Sequence, residues 1–385
     1  MVERNFCIFV PMKLTAQIKL CPTKEQEKHL LATLKEANSA CQAISDFAFE
    51  KKVFSKYELQ KQLYYQIKSS FNLSSQMIVR CLGKTSDAYK KDKETKRTFK
   101  KLGGIAYDSR ILSYKTIKQF VSIWTVSGRL KIDYQCGEHQ KRMLQYQHGE
   151  SDLVYVKGKF YLLATCEIPD ENTNDFEDVL GVDFGIVNLA TTSDGKNFSG
   201  EQTEKVRQWY ANRRAKLQSV GTKSAKRRLK KMSGKERKFK SNGNHIISKE
   251  LVKVAKNTSR AIAIENLSGI RKTAKVRHKN RAKHSSWAFN QLRNFIAYKS
   301  QLNGVSVLLV NPKYTSQRCF CCGHIEKANR KSQSEFVCKN CGHSDSADLN
   351  GAKNIQLLGR SQSAYGSDFS FEKLVTSPPA LAVGN

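Results

Sequence analysis

Polar and apolar residues alternate along Lys13-Leu-Thr-Ala-Gln-Ile-Lys-Leu20, the period of a half-buried strand. After Pro22-Thr23 the period changes. Leu30, Leu31, Leu34, Ala37, Cys41, Ile44 and Ala48 recur at helical spacing, and Thr23 with Gln26 has the spacing of a capping box. Helical patterning continues near 56–69 and 74–92. Beyond Gly103-Gly104 the alternation returns. Phe120–Val126 and Arg129–Tyr134 flank Ser127-Gly128, and Leu153–Val156 and Lys159–Thr165 flank Lys157-Gly158, two hairpin signals. These patterns predict a small β-barrel over 1–22 and 102–170 built around a helical insert over 23–101. The polar stretch Glu167–Glu177 reads as a linker.

From Asp178 the pattern is α/β. Residues 179–184 and 188–193 read as a strand pair around Gly185, followed by a strongly basic helical segment. Ala261–Glu265 is a buried strand by its apolar run. Trp287, Phe289, Leu292, Phe295, Ile296 and Lys299 share a helix leading to the strand Val305–Val310, and Asp348–Leu358 is a final helix. The Ser-, Gly- and Pro-rich segment 359–385 reads as a disordered tail.

Three acids stand at ends of these elements: Asp183 after Val179-Leu-Gly-Val, Glu265 after Ala261-Ile-Ala-Ile, and Asp348 at the start of the last helix. Carboxylates shared between two divalent ions activate a water and relieve charge on a leaving oxygen, the needs of phosphodiester hydrolysis. Hard oxygen ligands suit Mg²⁺ or Mn²⁺. Gly185 is expected to leave room for a phosphate near the backbone. Asp345 competes with Asp348 for the third place, and each acid taken alone is as readily a turn residue or a cap.

Charge supports a polyanionic partner. The 385 residues carry 67 Lys and Arg against 34 Asp and Glu, a formal +33. Residues 211–240 hold thirteen of these bases and one acid, Glu236, and Arg271–Lys283 adds seven bases with none. Such runs are often solvated faces; their density on both sides of Glu265 in sequence favours phosphate contacts. Lys84, Lys90, Lys91, Lys96 and Lys100 are further candidates for backbone phosphates. Tyr89, Phe99, Tyr107, Tyr114 and Trp124 are candidates for base stacking, with core packing as the alternative. No apolar run approaches the ~20 residues that span a bilayer, and the first eleven residues lack the features of a signal peptide. Cytoplasmic residence, nucleoid-associated, and no membrane partner are the expectations. Either Met12 is the true start or the residues before it extend the first strand.

Five of the eleven cysteines crowd between 319 and 341. Cys319-Phe-Cys-Cys322-Gly and Cys338-Lys-Asn-Cys341-Gly are two C-x-x-C knuckles fifteen residues apart, the spacing of a tetrahedral four-cysteine zinc site. A redox pair would not need the second knuckle, and a zinc deaminase would need a His-x-Glu that is missing here. Cys321 is expected to point away, and His324 and His343 to stay outside the ligand set. The zinc is therefore read as structural, clamping the loop that carries Asp348.

Gly181-Val-Asp-Phe-Gly, Ile264-Glu-Asn-Leu, Tyr314-Thr-Ser-Gln-Arg-Cys and Ala347-Asp-Leu-Asn-Gly-Ala-Lys-Asn-Ile355 together resemble the split RuvC motifs of the TnpB (OrfB) family, transposon-encoded RNA-guided DNA endonucleases related to miniature type V CRISPR effectors. The resemblance runs from Lys13 to about Leu358 and is strongest after 178. It implies a multidomain α+β protein: an RNase H-like (RuvC) α/β nuclease domain over 178–314 and 346–358, a zinc-binding insert over 315–345, and a wedge-like β-barrel carrying a helical recognition insert. It places the catalytic acids at Asp183, Glu265 and Asp348. Guide RNA and double-stranded target DNA are the implied partners. Gly351 departs from the family's usual Ala, a cost of about 1 kcal/mol in a helix at a position expected to touch no ligand. Strand transfer on the same fold and guided binding without cleavage are the alternative functions.

Overall fold

The computed structural model describes residues 12–169, 176–266, 289–332 and 334–364. The residues before Met12, the Arg271–Lys283 run, Trp287 and the chain beyond Ala364 lie outside the described residues. Two compact units divide the chain at Pro169 and Asp170.

In the first unit β1 (Met12–Leu20) leads into α1 (Lys24–Lys51), α2 (Lys56–Ser70) and α3 (Ser75–Tyr89). The Thr23 side chain accepts from the Gln26 N–H and the Gln26 side chain accepts from the Thr23 N–H, so the capping box is complete. Then follow β2 (Ile105–Tyr107), β3 (Leu112–Lys115), β4 (Phe120–Thr125), β5 (Gly128–Gln135), α4 (Glu138–Leu144), β6 (Gln147–Val156) and β7 (Lys159–Ile168). The strand order is β2-β6-β7-β1-β5-β4-β3, with β1 in the middle. Side chains stitch the two ends into a near-closed barrel: Tyr114 of β3 donates its hydroxyl to Ser151 Oγ of β6 at 2.8 Å, and Tyr107 of β2 donates to the Trp124 carbonyl of β4 at 3.1 Å. The sequence pattern missed β2, β3 and α4. Strands of three and four residues are too short to show a period of two.

Two of the stacking candidates are spoken for. Tyr89 and Tyr107 are wholly buried, and the Tyr89 hydroxyl shares a 2.8 Å hydrogen bond with Ser45 Oγ while its ring lies 4.7 Å from that of Phe54. Three of the lysines read as phosphate contacts have acceptors in the protein: Lys84 donates to Asn38 Oδ1 at 2.7 Å, Lys90 pairs with Asp87 and Lys96 with Asp46.

The second unit contains β8 (Asp178–Asp183), β9 (Asn188–Thr192), β10 (Asn197–Ser199), α5 (Glu201–Val220), α6 (Lys223–Met232) and α7 (Lys235–Asn257). β11 (Arg260–Glu265), α8 (Phe289–Gln301), β12 (Val307–Val310), β13 (Glu335–Val337), β14 (Ser344–Ser346) and α9 (Ala347–Ala364) complete it. β8, β9 and β10 are antiparallel, whereas β11 and β12 run parallel to β8, giving the order β10-β9-β8-β11-β12. Parallel strands covered on both faces read as continuous apolar runs, and β8 and β11 do so. On one face Leu180, Val182, Ile262 and Ile264 pack with Leu251 of α7 and with Leu292 and Ile296 of α8. On the other, Val179, Ala261, Ala263 and Val310 meet Ile355 of α9.

Glycines let α9 lie directly on the sheet. A Cβ on Gly181 would stand 2.1 Å from the Ala352 carbonyl oxygen. A Cβ on Gly359 would stand 2.8 Å from that of Ala263. This corrects the expected start of the tail. Gly359 is a packing glycine inside the helix, not its end, and α9 runs on to Ala364 with Arg360 Nε 2.7 Å from Asp178 Oδ1. Among the described residues no helix is long and apolar enough to cross a membrane.

Candidate metal centres

Register places the first two acids together. β11 pairs with β8 in parallel, Ile264 opposite Val182, so Glu265 and Asp183 are the next residue of each strand at the same edge of the sheet. Side chains alternate between faces with period two. Val179, Gly181 and Asp183 therefore share the face covered by α9, as do Ala261, Ala263 and Glu265. Asp348 lies in the first turn of α9, and Gly351, Ala352 and Ile355 follow on its sheet-facing side at helical spacing. Gly351 touches Asp183: a Cβ there would lie 3.4 Å from Asp183 Oδ2. That corrects the expectation that position 351 meets no site residue. Three acids separated by up to 165 positions in the chain thus converge on one edge.

Each of the three is half-buried and has its own support. Thr315 Oγ1 lies 2.5 Å from Glu265 Oε1, donating to the carboxylate. Asn188 Nδ2 at the start of β9 donates to Asp348 Oδ2 at 2.9 Å. Burial, with the nearby charges of Glu265 and Asp348, pushes the Asp183 carboxyl up to about 7. Burial also raises Glu265, against the hydrogen bond from Thr315 and the charge of Arg330. Asp345 is engaged elsewhere: Lys353 Nζ sits 2.7 Å from its Oδ2. A Cβ on Gly185 would stand 2.7 Å from the Asn188 carbonyl oxygen and 3.9 Å from Asp348 Oδ2, so the glycine lets the β8–β9 turn close beside the acids.

Arg330 was not legible in the sequence. It follows the short 3-10 turn Lys327–Asn329 of the cysteine-bearing insert, and its positive charge stabilises the ionised forms of both Asp183 and Glu265. A lone arginine between two knuckles has no periodicity or spacing to mark it. Asn188 is equally unmarked.

The four cysteines Cys319, Cys322, Cys338 and Cys341 bring their Sγ atoms within 4.8 Å of one another. Cys319 and Cys341 are 3.7 Å apart at sulfur, and Cys322 and Cys338 are 3.6 Å apart. A tetrahedron with metal–sulfur bonds near 2.3 Å has edges of about 3.8 Å, so the donor set fits such an ion. The two knuckles share one backbone pattern: Cys319 N–H donates to the His324 carbonyl and Gly323 N–H to that of Cys319, as Cys338 does to His343 and Gly342 to Cys338. Gly323 and Gly342 have φ of 75° and 72°, the left-handed turn that favours glycine. Cys321 is exposed and outside the group; His324, 3.1 Å from Glu326, and His343 are half-buried and also outside it. Asn350 Nδ2 of α9 donates to the Arg318 carbonyl at 2.9 Å, and Asn350 Oδ1 accepts from the Phe320 N–H at 3.0 Å, tying the first knuckle to the helix that carries Asp348. β14 runs directly from the second knuckle into that helix.

Residues 163–286 match the family model described as OrfB_IS605, probable transposase, and residues 289–355 match that of the Cas12f1-like TNB domain. A CRISPR-associated endodeoxyribonuclease Cas12f1 of Syntrophomonas palmitatica is 30% identical over 246 residues, covering 57% of this chain and 48% of that protein. A TnpB-like protein of Methanocaldococcus jannaschii is 33% identical over 147 residues, covering 38% and 49%. The chain spans about half the length of these curated relatives. Its fold is similar to that of Cas12f1 solved by cryo-EM in a complex with sgRNA and target DNA, with a TM-score of 0.57 at 14% identity over 86% of this chain and 83% of that one. Two adjoining family models, relatives on both the TnpB and the Cas12f side and a similar fold make TnpB and Cas12f proteins what this chain resembles.

Proposed function

We propose that the protein is an RNA-guided, metal-dependent DNA endonuclease whose catalytic carboxylates are Asp183, Glu265 and Asp348. The convergence of these acids on one sheet edge carries the reading. Their donor atoms are all oxygen, they repel one another, and Asp183 is held near neutrality by burial and by that repulsion. A divalent cation is the counter-charge such a group calls for, and Mg²⁺ or Mn²⁺ suits oxygen donors. When bound there, it activates water and offsets charge on the leaving oxygen of a phosphodiester. The chain's own residues set the geometry. Thr315 fixes the rotamer of Glu265, Asn188 fixes that of Asp348, and Gly351 leaves one flank of Asp183 unfilled. Arg330 adds positive charge where a transferred phosphate would gather negative charge.

The cysteine group takes zinc in a structural role. Closed four-cysteine sites leave no open position for a substrate, and its hydrogen bonds lead to α9, not into a cavity. The basic helices α5 to α7 supply phosphate affinity that weakens steeply with salt. Guide RNA and double-stranded target DNA come from the likeness to relatives named as CRISPR-associated endodeoxyribonucleases and to the Cas12f1 complex. The match to a transposase model keeps strand transfer as a second reading, since a DNA 3′-hydroxyl and water use the same acids.

The test is to purify the protein with co-expressed RNA and incubate it with a target plasmid and Mg²⁺. Guide-dependent cutting is expected, lost in Asp183→Ala, Glu265→Ala and Asp348→Ala while binding survives. Undiminished cutting by those variants would sink the assignment. Specific cutting without RNA would remove the guide and keep the nuclease, and joined strands would favour transfer.

A further inference from the structure

α5, α6 and α7, with Gln291 of α8, line an open cavity of about 600 Å³ that neither the carboxylates nor the thiols use. That volume lies in the range of small-ligand sites. Its floor is apolar, formed by Leu229 and Met232 of α6 and the half-buried ring of Tyr210 on α5. Arg214, Arg237 and Lys240 stand around it with a single acid, Glu236. Glu236 accepts from Arg214 Nη1 at 2.6 Å and from Lys240 Nζ at 2.7 Å, joining α5 to α7. Burial opposes its ionisation, but the hydrogen bonds and positive charges of Lys240 and Arg214 together lower its pKa. The lining thus keeps an excess of positive charge, and Arg237 is exposed, with no carboxylate partner among the described residues. The side-chain amides of Gln218 and Gln291 add donors and acceptors to the wall.

Beside the cavity, Trp209 is 53% exposed, its ring 4.8 Å from that of Tyr210 and edge-on to it, with the Arg213 guanidinium 5.6 Å from its centroid. A merely solvated charged helix needs no cavity, no apolar floor and no exposed indole. Aromatic surface under a cationic rim matches a flat ring that carries a phosphate.

We propose that this cavity takes the base of one unpaired nucleotide of a bound strand, stacked on Tyr210 with its phosphate at Arg237 and Arg214. The inference rests on the nucleic-acid reading above for the class of ligand, and is independent of cleavage. RNA and DNA share the chemistry, so the test carries both.

Full-length protein without divalent metal is mixed with single-stranded RNA containing 4-thiouridine, or with the same DNA sequence containing 4-thiothymidine, and photocrosslinked peptides are mapped. Crosslinks at Tyr210 or Met232 are expected, and the strand that gives them names the source. Tyr210→Ala should weaken binding about 5- to 20-fold, the loss of one base stack, and Tyr210→Phe should retain it. Arg237→Ala should lower the slope of log affinity against log salt by about one. Ser233→Trp fills the cavity from the exposed α6–α7 turn, removes no side-chain contact, and should abolish the crosslink at an unchanged melting temperature. Crosslinks confined to other segments, or full crosslinking in Ser233→Trp, would overturn the site. Asp183→Ala should keep the crosslink, so failure of the cavity and failure of the nuclease assignment are told apart.

Discussion

Asp183→Asn should make the metal-free protein more stable, and the gain should depend on pH. The carboxyl is raised from 3.8 to about 7 in the folded protein, so between those values the folded form holds a proton that the unfolded chain has released. Stability from this group is therefore fully present below pH 4 and is lost as pH rises through 7. A pKa difference of one between the folded and unfolded chain corresponds to about 1.4 kcal/mol, so the rise from 3.8 to about 7 sets a ceiling of about 4 kcal/mol at pH 8. Asparagine has nearly the same shape, carries no charge and does not repel Glu265 or Asp348. For a unit of this size roughly 2–4 °C accompanies each kcal/mol, so the variant should melt up to about 10–15 °C higher at pH 8 and match the parent at pH 4. Metal works through the same charge. Mg²⁺ should raise the parent's melting temperature more at pH 8 than at pH 5 and should do little for the variant. Thermal unfolding of both proteins with and without Mg²⁺, with hydrogen exchange of the β8 and β11 amides as a local probe, measures this. A gain over the parent no larger at pH 8 than at pH 5, or equal stabilisation of both proteins by Mg²⁺, would refute the picture of a repelling carboxylate cluster.

Other consequences are more local. Gly351→Ala should stabilise the protein by up to about 1 kcal/mol through helix propensity, because the new Cβ would meet Asp183 Oδ2 at an ordinary 3.4 Å; a destabilised variant in denaturant titration would show that the flank of Asp183 has no such room. Thr315→Val removes the hydroxyl on Glu265 and should slow single-turnover cleavage about 10-fold, the equivalent of ~1.4 kcal/mol, with Thr315→Ser restoring most of it. Elemental analysis should find one zinc per chain in the parent and in Cys321→Ser. Cys341→Ser should lose the zinc, and limited proteolysis should then open the chain between the knuckles and the start of α9.

What was legible in the sequence followed from what leaves a periodic trace. The runs ending in Asp183 and Glu265 are apolar without alternation because α7 and α8 cover one face of β8 and β11 and α9 covers the other. The four cysteines declare themselves by spacing alone. The site's remaining parts come from contacts that impose no pattern on neighbouring residues. Asn188 is the first residue of a strand whose burial is set by Leu189 and Ala190, and its hydrogen bond to Asp348 crosses 160 positions. Gly359 reads as a helix end on composition, yet its missing Cβ is required by Ala263 on a strand nearly a hundred residues away. The same logic separates the surroundings of Asp345 and Asp348. Three residues apart in one motif, they are equivalent as sequence. Asp345 precedes the helix and is drawn to Lys353, two turns along it. Asp348 falls in register with Gly351, Ala352 and Ile355, the row that α9 lays on β8. The first cysteine knuckle is hydrogen-bonded to Asn350 of the same helix, which ties the cysteine group to the element that carries that row.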